Sequence, residues 1–106
     1  MIVPMVAAHM ALLMMQAGVD GPRQAFSSCL KEASAKALSG NVAVDQFKAF
    51  VATQCSSQAE ALKAGLVGFD TKHGVKRAQA TSDAQAQIDE YFLMASENYE
   101  AKKNRK

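Results

Sequence analysis

Cys29 and Cys55 are the two cysteines of the chain, and the point midway between them is residue 42, inside the one turn-like break of that region, Ser39-Gly40-Asn41-Val42. This is the placement that a disulfide laid across an antiparallel helical hairpin requires. The residues around the cysteines are small: Ala25, Ser28, Ala52, Ser56 and Ala59. Small neighbours matter because a disulfide needs Cα atoms within about 4.4–6.8 Å, whereas packed helix axes lie about 8–10 Å apart. Closing a loop of this size stabilises a fold by roughly 3 kcal/mol, a large share of the margin of a small domain. The competing reading is two buried free thiols in a reducing compartment, so pairing and export stand together.

The apolar spacing on either side of that break is helical. Asp20-Gly21-Pro22 reads as a helix start, with an Asp to accept backbone N–H bonds and a Pro whose missing N–H costs nothing in a first turn. Phe26, Cys29, Leu30, Ala33 and Ala37 then recur at three and four, and Gly40-Asn41 sits where left-handed residues end helices. A second helix is expected from Val44-Asp45, with Asp45 as N-cap and Phe47, Phe50, Val51, Cys55, Leu62, Leu66 and Phe69 as its stripe. Its end falls at Lys72-His73-Gly74-Val75, with Gly74 left-handed and Val75 reaching Phe69. Gly65 and Gly68 are expected to permit close packing or a kink. Ser82-Asp83-Ala84-Gln85 is a capping box, which places a connector at about 74–81 and a third helix from Ser82 to about Lys103. One long helix from Val75 is the alternative. Ala84, Ile88, Tyr91, Phe92, Ala95 and Tyr99 form the third stripe, and folding about Gly74 brings Tyr99 to Phe47. The expected fold is all-α, an antiparallel hairpin extended to a three-helix bundle and stapled by one disulfide.

Residues outside that bundle bear on location. Met1–Ala17 carries no charge and runs apolar on every side except at His9 and Gln16. It is short for a permanent membrane helix, which needs about 20 residues, and it matches the apolar region of a secretory signal peptide. The expected organisation is a signal peptide at 1–17, a helical domain at 18–100 and a basic tail at 101–106. Localisation is then periplasmic or secreted, with anchoring by residues 1–17 as the lesser alternative. The formal charge of +2 combines 12 basic with 10 acidic residues. Lys102, Lys103, Arg105 and Lys106 hold four of the positive charges, so the rest of the chain is net negative. Four tail charges with no interleaved aromatic residue are a weak signal for nucleic acid, and export argues against it as a partner.

The chemical inventory is sparse. His73 and Asp70 are the nearest approach to a ligand pair, and two ligands do not hold a zinc ion; a histidine closing a helix end is the plainer role for His73. There is no G-x-S-x-G, C-x-x-C or glycine-rich phosphate loop. The expectation is therefore a non-enzymatic interaction or structural protein of the bacterial cell envelope, without metal or cofactor, acting on an unidentified protein partner. Two alternatives accompany it. In size and plan the chain is similar to periplasmic acid-stress chaperones, and a client-binding chaperone would prevent aggregation at acid pH by newly exposing the face of Phe47, Phe50 and Phe92. Tyr91, Tyr99, Lys102, Lys103, Arg105 and Lys106 are, in turn, a candidate surface for an anionic membrane or another polyanion.

Overall fold

The computed structural model describes the backbone of residues 3–105, with side chains described from Val19 to Arg105. The expectation of a signal peptide at Met1–Ala17 falls on residues whose side chains lie outside that description. Four helices follow one another: α1 (Val3–Ser39), α2 (Val44–Gln54), α3 (Ser56–Lys72) and α4 (Arg77–Asn104). Among the described residues there is no strand. α1 runs one way, α2 and α3 together return, and α4 runs parallel to α1, packed on the same pair and touching α1.

The expected hairpin is present. Cys29 and Cys55 are joined, with Cα atoms 5.8 Å apart. The first stripe is buried as its spacing predicts: Phe26, Leu30, Ala33 and Ala37 face the core. Phe47, Val51, Leu62 and Leu66 meet them from α2 and α3, while Phe50 and Phe69 are half-buried against the same cluster. Ala84, Ile88, Phe92 and Tyr99 close the core from α4. Phe26 is the pivot between α1 and α4, edge-on to Phe92 at 5.3 Å and to Tyr91 at 5.4 Å between ring centroids. Such edge contacts add to the gain from burying the rings themselves.

Both interhelical turns end their helix with one left-handed residue, by the same pair of backbone bonds. At the first, Asn41 has φ 54°, its N–H donates to the Leu38 carbonyl at 3.2 Å, and the Val42 N–H donates to Ala37 at 2.9 Å. At the second, Gly74 has φ 92°, its N–H donates to Thr71 at 3.2 Å, and the Val75 N–H donates to Asp70 at 3.0 Å. This is the Schellman arrangement, which satisfies carbonyls that a helix end would leave unpaired. His73 closes α3, its Nδ1 2.8 Å from the Phe69 carbonyl and its ring on the Phe69 ring.

Four boundaries differ from the sequence reading. The expected helix from Val44 to Lys72 is two helices, divided at Cys55, where φ is −114° and ψ is 21°. The bond ladder passes through this bend, because the Cys55 N–H reaches Val51 and the Cys55 carbonyl accepts from Ala59, both at 2.9 Å. The bend falls where the disulfide draws the chain toward α1 and where Ser56-Ser57, a weak helical pair, follows. α4 begins at Arg77 rather than Ser82, and the capping box lies unused within it. Ala80 and Ala84 are fully buried, so packing against α3 extends the helix one turn past its best capping signal. α1 does not start at Asp20 but continues through Pro22. Val19, a turn before that proline, is buried, and this contact holds the helix across the missing N–H. Finally, α2 has Ala43 as its N-cap without a side-chain bond, and Asp45 lies in the first turn instead.

The glycines of α3 do not interrupt it. A Cβ at Gly68 would meet nothing within 4 Å, so close packing does not require a glycine there.

Candidate interaction surface

Of the six residues proposed from sequence as a surface, Tyr91, Tyr99 and Lys102 line one groove, and Lys103 is turned to the α1–α2 turn. Tyr99 is buried, its ring stacked on Phe47 with centroids 4.0 Å apart and planes 10° from parallel. Its hydroxyl donates to the Val42 carbonyl at 2.6 Å. Lys103, one turn on, donates from Nζ to the same carbonyl and to Asn41 Oδ1, both at 3.0 Å, and lies over the Tyr99 ring. Tyr99 and Lys103 therefore clamp the α1–α2 turn to α4. Tyr91 is half-buried and its hydroxyl accepts from Arg23 Nη1 at 3.1 Å. Lys102 and Arg105 are exposed, and Lys106 lies outside the described residues.

What the fold places around Tyr91 and Lys102 is a groove. α1 and α4 both pack on the α2–α3 pair and leave an open channel of about 500 Å³ between them. Its floor is apolar, from Leu30, Tyr91 and Ala95, and one lysine stands on each wall, Lys31 on α1 and Lys102 on α4. A smaller depression of about 260 Å³ continues it past Tyr91 and Met94 to Gln87 and Glu90. The channel is thus basic toward the C-terminal end of α4 and acidic toward the other.

Beside the groove stands an apolar ridge. Leu93 and Met94 are the most exposed large hydrophobic residues among those described, at 52% and 56%. Glu90 and Glu97, three or four positions away on α4, flank them and are exposed. Sequence reasoning missed this ridge, although the signal was there. Phe92-Leu93-Met94 is a run of three apolar residues, and a helix that buries Phe92 must turn the next two outward. Lys31, on the opposite wall, carried no sequence signal at all, since its role depends on where α4 docks.

The remaining surface offers less. A depression between α3 and α4 is lined by Glu60, Lys63, Arg77 and Thr81, and Lys63 there is bound to Gln85 Oε1 at 2.8 Å. Among the described residues no three His, Cys, Asp or Glu side chains come together to hold a metal ion, and no helix is long and apolar enough to cross a membrane. Ser96 carries the one buried side-chain polar atom, among those described, without a hydrogen-bond partner. Comparison with known proteins gives no match: no family model, curated protein or solved structure corresponds to this chain.

Proposed function

We propose that this chain is an exported helical protein of the bacterial cell envelope that works as a binding surface, presenting its α1–α4 face to a protein partner, and not as an enzyme. The observation that carries this reading is the Cys29–Cys55 bond, because structural disulfides persist in oxidising compartments and are rare in reducing ones. The binding role is supported by the groove and its ridge, an exposed apolar feature between charged residues of both signs.

Neither alternative draws comparable support. For client binding, Phe47 lies under Tyr99 and Phe92 lies against Phe26, so the bundle would have to open before a client could reach that face. For a polyanion, Lys103 is engaged at the turn, which leaves Lys102 and Arg105 as the described basic residues of that end.

Two measurements test the proposal. Intact mass of protein from the periplasmic fraction of a Gram-negative host, with and without reduction and thiol alkylation, is expected to show a chain shortened near Gly18 and two hydrogens lighter than its reduced form. Full-length protein with two alkylatable thiols would overturn export. A photo-crosslinking residue at Asn98, in the groove, is expected to trap a discrete protein adduct in cells, whereas the same residue at Gln79 is not. Equal labelling from both positions, or none from Asn98, would remove the groove from the proposal.

A further inference from the structure

We propose that the segment seated in the α1–α4 groove is an amphipathic helix of another protein, its apolar face bordered by carboxylates. The inference rests on the reading of the groove as a protein-binding surface, and it names the chemistry of what binds there. Charge is its first basis. Both charged residues that line the groove are lysines, Lys31 on one wall and Lys102 on the other, and among the described residues no carboxylate joins them. A basic segment would be repelled from both walls, because like charges facing across an interface suppress association, whereas an acidic border complements them.

Shape decides between a helix and a small ligand. The lining falls on one face of each helix at spacings of three and four: Ser27, Lys31 and Ser34 on α1, and Ala95, Asn98 and Lys102 on α4. Ser27, Ser34 and Ala95 are small, so a third helix can approach to the usual packing distance of about 8–10 Å. Leu38, one turn past Ser34 on the same face of α1, and Met94 on the α4 rim are exposed at 39% and 56% and extend the apolar strip. Methionine is adaptable enough to pack against an incoming apolar side chain. A small ligand draws its affinity from being enclosed over most of its surface, which an open channel does not provide. A helix laid in the groove buries one face and keeps the other in solvent. The groove is also formed in advance. Arg23 Nη1 holds the Tyr91 hydroxyl at 3.1 Å at one end, and Lys103 holds Asn41 at 3.0 Å at the other, so docking requires little ordering of α1 against α4.

The probe is a synthetic amphipathic peptide of leucine, alanine and glutamate, about five turns long. It is titrated to about 1 mM into the isotopically labelled, oxidised protein, with backbone amide shifts as the readout and circular dichroism confirming that each variant is folded. Saturable shifts are expected at Ser27, Ser34 and Asn98, and none with a counterpart peptide carrying lysine for every glutamate. Lys31→Glu with Lys102→Glu should weaken binding about tenfold or more. Lys36→Glu with Lys48→Glu makes the same change of net charge outside the groove and should alter binding by less than about twofold. Equal binding of both peptides, equal loss in the two double variants, or no saturable shift overturns the proposal. So does dodecanoate that fills the groove and displaces the glutamate peptide, which would assign the site to a lipid. In cells, the protein adduct at Asn98 should be lost when Lys31→Glu and Lys102→Glu are combined. An adduct that survives them rejects an acidic partner while leaving the groove as a binding surface, and no adduct in the natural chain rejects both.

Discussion

The two interhelical turns have the same backbone and different surroundings. Asn41 and Gly74 each occupy the left-handed region, and each is followed by a valine whose N–H reaches five residues back. The α1–α2 turn is then tied to α4 by three further bonds, one from the Tyr99 hydroxyl and two from the Lys103 ammonium. The α3–α4 turn has its own helix end, Val75 against the core and the His73 ring on Phe69, and among the described residues no side chain of another helix is hydrogen-bonded to it. The difference shows how a residue with an unfavourable φ is retained. Asn tolerates the left-handed region better than most side chains but less well than Gly, and at Asn41 its amide oxygen is also bound by Lys103. Gly74 is left-handed without cost and needs no such tie.

The largest effect on this comparison is expected from Tyr99→Ala. It removes a fully buried ring, its stack on Phe47 and the hydroxyl on Val42 together, and should destabilise the fold by about 3–5 kcal/mol in chemical denaturation. Amide exchange should rise at Val42 before it rises at Val75; equal loosening of both turns would mean that Tyr99 supports the whole core and not the turn. Gly74→Ala is expected to cost about 1–2 kcal/mol, because a Cβ at φ 92° is strained even where space is open. A neutral result would show that the second turn can relax to another conformation. Asn41→Gly should be the mildest change, within about 0.5 kcal/mol, as the gain in backbone freedom offsets the loss of one exposed bond to Lys103. A cost well above that would assign the stability of the first turn to the lysine rather than to Tyr99.

Much of the bundle is legible in the residues because it depends on local rules. The cysteine pair, the turns at Gly40-Asn41 and Gly74, and the meeting of Phe47 with Tyr99 all follow from spacing and from folding the chain about its breaks. The bend at Cys55 does not, because neither cysteine alone specifies it; it arises where the bond pulls one helix against another. The start of α4 escapes for a related reason. Ala80 is a weak hydrophobic signal in sequence, yet it is wholly buried, and its packing outweighs the capping box at Ser82. The candidate surface was legible only in part. Tyr91, Tyr99 and Lys102 do line the groove, but the Tyr99 hydroxyl and Lys103 are spent on the fold, and nothing in a run of lysines says which one will meet a carbonyl.

The disulfide is also unequally shared between solvent and core. Cys29 is half-buried, its sulfur 3.6 Å from the Gln54 carbonyl, while Cys55 is wholly enclosed. An incoming thiolate can therefore approach only the Cys29 sulfur, and the departing thiolate would have to form at Cys55, in apolar surroundings that oppose a charge. The bond is thus guarded by the packing it helps to create, which opposes reduction at the leaving sulfur even where the attacked one lies within reach.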